Sequence, residues 1–407
     1  MKALYHHRTQ GRGVEAVHIH GVCGGLEKLG YEVEIIGPPG VTTDPNIVVA
    51  AEAGKTGTSW GVIAKKAPQW LFELMEIGYN LVAIPRVLKR CRELQPELIY
   101  ERYSLYNVTA AFVSAMTGVP LVLEVNDTVG TDRTRQGKSI RMKPVARVFE
   151  RWIFKRTAGI TVVSGYLKDQ VISSGVPSEK IAVTPNAVDV DRFDRSRVDG
   201  TALRERLGLK GKTVIGFAGS FTKWHGLDLL VQAFANVSPE LREARLLLVG
   251  DGVTMEDTRA LVEALGITDR VVFTGKVGHA DVPEHMAAMD VGVMPESNVF
   301  GSPMKVYEYL AMGVPAVGPR YGPLEEAIVD GEDGLIFTPG DVDGLTAALR
   351  SLVADTETRR AMGESGRRKV VSRHQWVHNA EAVVHLVSAS KTSNRTEPAA
   401  RPSDQSA

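Results

Sequence analysis

The sequence has few of the features that mark secreted, membrane-spanning or nucleic-acid-coating proteins. Two cysteines, Cys23 and Cys91, occur in 407 residues, too few for a disulfide framework. No apolar run reaches the roughly 18 residues that a transmembrane helix needs, and the first residues do not read as a signal peptide. The 48 Lys and Arg residues are balanced by 48 Asp and Glu, which argues against a nucleic-acid partner. We therefore expect a protein of the reducing cytoplasm whose contact with a membrane, if any, is peripheral.

The order of the predicted elements indicates two α/β domains. Apolar residues at 43% and charged residues at 24% are ordinary for a globular protein, and 407 residues exceed one core of normal size. Strands alternate with helices, and the pattern restarts after a charged connection at 194–212. We predict two doubly wound Rossmann-like domains facing a cleft, at 1–190 and 191–370. A helix at 371–387 is placed to return to the first domain, and a tail at 388–407 is expected to be disordered.

The most informative stretch is VFGSPMKVYEYLAMGVPAVG, residues 299–318. It predicts a loop, a helix capped by Ser302 with Pro303 in its first turn, and a buried strand after Gly313. The helix start, with free N–H groups near Gly301 and the ammonium of Lys305, suits a phosphate or diphosphate. One turn further on, Glu308 can accept hydrogen bonds from sugar hydroxyls. Taken alone, the segment is as simply explained by a surface helix with an ordinary Lys–Glu pair.

The first half contains a glycine-bearing turn and two polar strand ends. The pattern Gly11-x-Gly13-x-x-Ala16 is close to the dinucleotide fingerprint, but the second strand ends on Gly37 where an acidic residue would hold the ribose. We therefore expect Gly13 to approach a ligand closely without implying a bound dinucleotide. Asn126 and Asp127 follow another strand, at the edge where open α/β sheets bind ligands. They are either sugar or acceptor contacts or simply turn caps.

A basic segment with interleaved aromatic residues spans residues 138–156, where Glu150 is the one acid. Such a segment is an amphipathic helix with a wet face, or one that lies on an anionic membrane surface. In the preceding helical region, Trp70, Leu71, Leu74 and Met75 are expected to lie in the core. Trp70 and the basic segment together hint at a lipid-linked or membrane-proximal partner.

Four segments together resemble the retaining GT-B nucleotide-sugar glycosyltransferases of family 4. They are residues 183–193, 219–226, 272–275 and the SPMKVYEYLAMGVP stretch at 302–315. The resemblance implies transfer of a hexose-type sugar from a nucleotide-diphosphate sugar to a saccharide, lipid-linked or small-molecule hydroxyl. It also implies retention of configuration, no metal and no resident cofactor.

The sequence departs from the family pattern at two places. The first glutamate of the usual Glu-x7-Glu motif falls on Phe300, while Glu308 matches the second. Ser220 and His225 stand where the family commonly has Arg and Lys for the diphosphate. Lys305 and Lys223 look like replacements, so that lysine point charges would take over from an arginine fork.

The candidate site follows from the residues and the resemblance together. Lys223, Lys305 and the helix dipole would neutralise the diphosphate, and the backbone around residues 275–277 would contact the nucleobase. His225 is either a phosphate contact when protonated or an imidazole packed in the turn. The predicted catalytic residues are Lys305, Glu308, Asn126 and Asp127. The predicted donor-binding residues are Gly13, Gly219, Ser220, Lys223, His225, Gly275, Lys276, Val277, Gly301, Ser302, Met304, Lys305 and Glu308.

Other functions remain open at this level. The strings Asp189-Val-Asp191 and Asp341-Val-Asp343 are rejected as metal ligands, because the first lies in the interdomain connection and the second in a helix-capping turn. A nucleotide-sugar epimerase of the same architecture would need paired carboxylates, which the sequence does not offer convincingly. A sugar-nucleotide-binding protein without catalysis is a further alternative, suggested by Phe300 and Ser220. The nucleobase, the sugar and the acceptor are not specified.

Overall fold

The computed structural model describes residues 1–9, 14–39, 41, 68–131, 139–237 and 241–396. They form two compact units. The first contains the described residues up to Val162, those of Leu167–Thr184, and those from Asn379 onward. The second contains Val163–Tyr166 and the described residues of Pro185–His378. The sequence-based boundary between residues 190 and 191 lies inside this second unit.

The first unit is built on a six-stranded parallel sheet with strand order β2-β1-β3-β4-β5-β6. Its strands are β1 Lys2–His6, β2 Glu32–Ile36, β3 Leu98–Arg102, β4 Leu121–Val125, β5 Gly159–Val162 and β6 Ile181–Val183. The helices that accompany them are α1 Val14–Lys28, α2 Gln69–Gly78, α3 Asn80–Leu94, α4 Thr109–Thr117, α5 Lys143–Phe154 and α6 Gly165–Ser173. Because the strands are parallel, their carboxyl ends share one edge of the sheet.

The second unit repeats this plan with strand order β12-β11-β10-β7-β8-β9. Its strands are β7 Thr213–Ala218, β8 Ala244–Val249, β9 Val271–Gly275, β10 Val291–Val293, β11 Ala316–Pro319 and β12 Gly334–Phe337. Its helices are α7 Thr201–Arg206, α8 Leu227–Val237, α9 Met255–Ala264, α10 Val282–Ala287, α11 Met304–Ala311, α12 Gly322–Ala327, α13 Val342–Ala354 and α14 Thr356–Arg373. The two predicted doubly wound α/β sheets are therefore confirmed.

Both faces of the second sheet are buried. On β7, Val214 and Ala218 pack into the core cluster that holds α11. The alternate residues, Ile215 and Phe217, pack into the cluster that holds α8 and α13. Helices on both faces explain why the strand reads as a nearly continuous apolar run rather than an alternating one.

The last helix, α15, spans Trp376–Thr396 and is longer than the sequence predicts. The hydroxyl groups of Ser388, Ser390 and Thr392 donate to backbone carbonyls three or four residues earlier, so each hydroxyl finds an acceptor within the helix. In the same unit, a Cβ on Gly159 of β5 would lie 2.8 Å from Leu386, which places this helix against the first sheet. Of the expected disordered tail, residues 397–407 lie outside the described residues.

The expectation that α2 buries its large apolar residues was wrong. Trp70, Leu71 and Leu74 are 53%, 39% and 47% exposed, and Met75 is only half-buried. The reason is that the helix turns a different face inward, with Phe72 as its buried apolar residue.

A buried carboxylate joins α2 to the start of α5. The side chain of Glu73 accepts hydrogen bonds from the N–H groups of Arg141 and Met142, at 2.7 and 2.9 Å, and from the hydroxyl of Tyr106 at 2.7 Å. These bonds place a negative charge at the N-terminus of α5, where the helix dipole favours it. Glu73 is thus occupied in holding two helices together.

Cys23 and Cys91 are both buried free thiols. Within the described ranges, no helix has the length and apolar character that crossing a membrane requires.

The close packing of β10 against α11 gives a test of the fold. A Cβ on Gly292 would lie 2.4 Å from Cγ of Tyr309, whose hydroxyl accepts a hydrogen bond from the N–H of Ala218. We expect Gly292→Ala to lower the free energy of unfolding by about 1–3 kcal/mol, because the ring has no room to yield. Gly322→Ala is the control, since nothing lies within 4 Å of that position. Urea unfolding measures both; equal midpoints for the two variants would contradict the packing described.

Candidate active site

The site lies where the second sheet reverses its strand order. β10 pairs with β7, although three helices and two strands separate them along the chain. The turn at residues 219–226 follows β7, and the approach to α11 follows β10. In open α/β sheets, such a switch point is where ligands bind. The fold therefore brings together the two segments that carry most of the predicted donor-binding residues.

The start of α11 differs from the sequence prediction. Pro303 occupies the N-cap position, the helix begins at Met304, and no side chain caps it. Ser302 does not cap because its hydroxyl accepts a hydrogen bond from the N–H of Asn186 at 2.9 Å. Its carbonyl also accepts from the Asn186 side chain at 2.8 Å. Ser302 thus ties the approach to α11 to the segment 183–193, which carries part of the family resemblance.

The sequence predicts that the backbone N–H groups near Gly301 are free to bind a ligand, but the structure shows them already bonded. The N–H groups of Phe300 and Gly301 both donate to Oδ1 of Asn298, at 3.1 and 2.6 Å. By contrast, the N–H groups of Met304 and Lys305 have no acceptor among the residues that the structure describes. The anion-binding end of the helix is therefore its first turn and not the loop before it.

The other end of α11 agrees with the sequence prediction. Gly313 has a φ of 67°. The N–H of Val314 reaches back to the carbonyl of Tyr309 at 3.0 Å, as in a Schellman motif. This stop fixes the length of α11 and so the turn on which Lys305 lies.

Lys305 points toward the turn after β7. Its Nζ lies 2.7 Å from Nε2 of His225 and 4.5 Å from the centre of the Phe217 ring. A Cβ on Gly219 would lie 2.9 Å from the same Nζ. The glycine therefore leaves the space that the ammonium group occupies, and the aromatic face adds a favourable cation–π contact.

The ionisable groups of this site have shifted pKa values. Desolvation lowers the pKa of Lys305 to about 7, with Glu308 acting in the opposite direction. Desolvation also raises the pKa of Glu308 to about 7, against the positive charges of Arg192 and Lys305. Such shifts are characteristic of binding and catalytic sites. Both side chains are only partly exposed to water.

Arg192 is a site residue that the sequence analysis missed. It lies close enough to Glu308 for its charge to affect the pKa of that carboxyl. Its guanidinium contacts both ring nitrogens of His279, at 3.0 and 2.9 Å, and the His279 carbonyl. Arg192 belongs to the 183–193 segment that carries part of the resemblance, but it falls on a variable position of the motif. That location left no signal for its role.

Glycines bring the ends of β7, β8 and β9 together. A Cβ on Gly250 would lie 1.9 Å from the Gly219 carbonyl oxygen, and the Gly250 N–H donates to the carbonyl of Gly275 at 3.0 Å. Next to Gly275, Lys276 is exposed and Val277 packs against the core. The predicted donor-binding residues 275–277 thus lie at the same sheet edge as Gly219.

The remaining residues of the turn after β7 are arranged less uniformly. Ser220 and Lys223 have exposed side chains. Trp224, which the sequence analysis did not select, is half exposed, and its ring centre lies 3.7 Å from that of His225. An exposed indole at this point offers a flat apolar surface to a ligand.

In the first unit, Asn126 is held by a buried carboxylate. Its amide donates to Glu124 Oε1 at 2.6 Å, and Glu124 also accepts from Arg102. Nδ1 of His18 lies 3.4 Å from the same oxygen. Because the amide N–H₂ of Asn126 faces Glu124, its carbonyl oxygen is directed elsewhere. Asp127 is half-buried next to this group, and Gly13 lies outside the described residues.

The two Asp-x-Asp strings have structural roles. Oδ1 of Asp341 accepts from the N–H of Gly344 at 3.0 Å and caps α13, as predicted. Oδ1 of Asp189 accepts from the N–H groups of Asp191 and Arg192, at 3.1 and 3.3 Å. These bonds fix the turn that presents Arg192.

Two family models match this chain, one for each part of it. The model described as Glycosyltransferase Family 4 matches residues 13–192, and the model described as Glycosyl transferases group 1 matches residues 199–369. Between them they span most of the chain.

Individual relatives carry related names. A GDP-mannose-dependent alpha-(1-6)-phosphatidylinositol monomannoside mannosyltransferase of Mycolicibacterium smegmatis is 31% identical over 61% of this chain and 66% of that protein. An N-acetyl-alpha-D-glucosaminyl L-malate synthase of Bacillus anthracis is 28% identical over 72% of this chain and 74% of that protein. The match covers a little less than two thirds of the length of the mannosyltransferase.

Solved structures share the fold. Anabaena HepE in complex with UDP and glucose has a TM-score of 0.70 at 19% identity, with 96% of this chain and 100% of that chain covered. A glycosyltransferase from Rickettsia africae has a TM-score of 0.72 at 14% identity, with 96% and 98% covered. The sheets, the lysine at the switch point and the two family matches agree: the chain belongs to the family 4 glycosyltransferases and has the GT-B fold.

Proposed function

We propose that the protein transfers a hexose-type sugar from a nucleoside-diphosphate sugar to a hydroxyl group, with retention of configuration and without a metal ion. The observation that carries this proposal is the position of Lys305. Its ammonium lies at the switch point of the second sheet, beside the first turn of α11. Two unpartnered N–H groups and a partly desolvated cation are the donors that a diphosphate needs.

The leaving group sets the chemical demand. The bond from the anomeric carbon to the diphosphate oxygen breaks, a bond from the same carbon to the acceptor oxygen forms, and the acceptor proton passes to the departing phosphate. Negative charge grows on the phosphate as the sugar becomes oxocarbenium-like, so fixed positive groups there lower the barrier. Lys305 and the N–H groups of α11 would supply this charge, which a metal ion supplies in other transferases.

The other site residues divide the remaining contacts. Glu308 would accept hydrogen bonds from the ribose hydroxyls, held between the charges of Lys305 and Arg192. The backbone at residues 275–277, next to Gly250 and Gly219, would contact the nucleobase. In the first unit, the carbonyl oxygen of Asn126, with its N–H₂ turned to Glu124, would accept a hydroxyl of the sugar or acceptor. Asp127 beside it would be a second acceptor.

The relatives suggest which donors and acceptors to examine. The mannosyltransferase is named for GDP-mannose and a phosphatidylinositol mannoside, and a Streptomyces kanamyceticus relative for 2-deoxystreptamine. We propose a mannosyl or glucosyl donor, with a lipid-linked acceptor favoured over a small soluble one. The surface of α5 supports that preference.

The exposed surface of α5 carries charge of one sign. Arg147 and Arg151 on α5, and Lys155 after it, are exposed. The acid of the segment, Glu150, is buried, where it accepts from the N–H of Val129 at 2.7 Å and the hydroxyl of Tyr103 at 3.0 Å. The carboxylate of Glu150 therefore does not offset the positive charges on the exposed surface of α5. The surface of this helix is cationic, which favours an anionic membrane.

An apolar ridge runs along the same surface. Val148 of α5 is 67% exposed, and Trp152 stacks on Phe112 of α4 with ring centres 6.0 Å apart. Phe112 and Met116 are themselves 44% and 55% exposed. Apolar side chains flanked by basic ones are what an interfacial helix presents to lipid headgroups and acyl chains. We propose that this surface holds the enzyme at an anionic bilayer that carries its acceptor.

The donor site is tested by nucleotide binding. A nucleoside diphosphate present at ~100 times its dissociation constant should add ~2.7 kcal/mol of stability, seen as a thermal shift with GDP or UDP. Lys305→Ala should weaken binding of that nucleotide at least tenfold and lower kcat, because a charge at the leaving group is lost. Lys210→Ala, an exposed lysine paired with Glu205, is the control. Absence of any shift with GDP, UDP, ADP, CDP and dTDP would contradict the proposed function.

The membrane contact is tested by vesicle co-sedimentation. The double variant Arg147→Glu/Arg151→Glu should weaken partitioning onto vesicles with 30% anionic lipid by about 30-fold or more, at ~1 kcal/mol for each basic residue lost. Binding should also fall between 0.15 and 0.5 M salt. Lys89→Glu, at an exposed position on α3, is a charge-reversal control away from this surface. Equal binding of the double variant and of Lys89→Glu would contradict the assignment of this surface.

A further inference from the structure

We propose that His225 is a positioning residue, a neutral hydrogen-bond acceptor that aims the Lys305 ammonium at the diphosphate. The inference rests on the proposed function, because it assigns a role within that donor site. Of the two alternatives that the sequence leaves for His225, it takes up the imidazole packed in the turn and not the protonated phosphate contact.

The hydrogen bonds of His225 fix which of its nitrogens carries the proton. Nδ1 lies 2.6 Å from the carbonyl oxygen of Ser220, and a carbonyl can only accept, so Nδ1 must donate. Nε2 lies 2.7 Å from Nζ of Lys305, and an ammonium can only donate, so Nε2 must accept. The imidazole is therefore the neutral Nδ1–H tautomer. A carbonyl, an imidazole and an ammonium form one continuous chain of hydrogen bonds.

The surroundings of His225 keep it neutral. The side chain is 3% exposed, with the rings of Phe217 and Trp224 packed against it at centre distances of 5.3 and 3.7 Å. Burial, and then the charge of Lys305, lower its pKa to about 3. A second proton on the ring would face the ammonium directly. His225 thus stays an acceptor at every pH at which the protein is expected to work.

Neighbouring groups restrict the position of the Lys305 ammonium. The Phe217 ring lies below it, Gly219 leaves the space in front, and His225 holds one of its three protons. The charged groups that face this cluster are Glu308 from the same helix and Arg192 from the 183–193 segment. Glu296 packs against Gly226, the residue after His225. A Cβ on Gly226 would lie 2.7 Å from Cβ of Glu296. In the part of the chain that the structure describes, the other two protons of Lys305 have no acceptor, which leaves them for a ligand.

A ligand that brings negative charge to this place changes the protonation of Lys305. In the empty site the pKa of Lys305 is about 7, so a large part of the protein carries a neutral amine at pH 7.5. A diphosphate favours the ammonium and raises that pKa. Binding above pH 7 must therefore take up a proton, and affinity falls by up to tenfold for each pH unit until the pKa of the bound state is reached.

The family pattern gives a reason for this arrangement. Where this chain has His225 followed by Gly226, the family commonly has a lysine that contributes charge from the turn itself. Here the charge comes from α11, and a second cation at residue 225 would lie against it. The neutral ring of His225 avoids that repulsion and accepts a hydrogen bond from the ammonium instead.

The test is isothermal titration of GDP and UDP at pH 6, 7, 8 and 9 in two buffers of different ionisation enthalpy. Wild type should take up less than one proton at pH 7 and close to one at pH 8, after correction for the nucleotide's own titration. His225→Gln, which can place an oxygen near the position of Nε2, should bind within about threefold of wild type. His225→Phe fills the same space without an acceptor and should bind at least tenfold more weakly.

The outcomes separate the two proposals. If no nucleoside diphosphate binds wild type, the proposed function fails. If wild type binds but His225→Phe has the same affinity and the same pH profile, only the role of His225 fails. Should His225→Phe not fold, ¹⁵N spectra of histidine-labelled wild type decide. A neutral Nδ1–H ring from pH 8 down to pH 5 supports the inference, and an imidazolium or an Nε2–H tautomer overturns it.

Discussion

The contact on which the site depends is the hydrogen bond between the Lys305 ammonium and the neutral ring of His225. It holds a cation in a partly dry place, at the reversal of strand order in the second sheet. The neighbouring residues hold the two side chains in this position. The strand β7 supplies Phe217, Gly219 after it leaves the gap, and the segment before α11 is anchored to Asn186, which fixes the first turn of the helix that carries Lys305. A charge that is poorly hydrated in the empty site gains most when an anion arrives.

Much of the fold follows from patterns that the sequence displays openly. Strands that read as apolar runs between helical segments predict two parallel sheets, and both are present. The failures have local causes. Trp70, Leu71 and Leu74 were expected in the core because they are large and apolar, yet α2 buries Phe72 and the carboxylate of Glu73. The inward face of α2 is the one that carries Glu73, because Glu73 accepts hydrogen bonds from N–H groups at the start of α5. Those groups lie 68 or more residues away in the sequence. Apolar content cannot reveal such a partner.

In the candidate site too, residues in recognisable motifs could be identified from the sequence, and contacts with distant partners could not. Lys305, Glu308, Gly219 and His225 each lie in a motif that the sequence displays, and the fold brings them together. Arg192 was missed since it occupies a variable position, and its effect on Glu308 appears only when the chain folds back. Ser302 and the loop at Gly301 were misassigned as a cap and a donor loop. Asn186 and Asn298 take up those groups, and neither bond has a signal in local spacing.

The central claim is that Lys305 meets the diphosphate of the donor. A crystal structure of the protein with GDP or UDP bound tests it most directly. The account predicts a phosphate oxygen at ~2.8 Å from Nζ of Lys305, a normal length for a charge-assisted hydrogen bond, with His225 still on the other side of the ammonium. A nucleotide bound elsewhere, or a diphosphate that leaves Lys305 in contact with water alone, would contradict it.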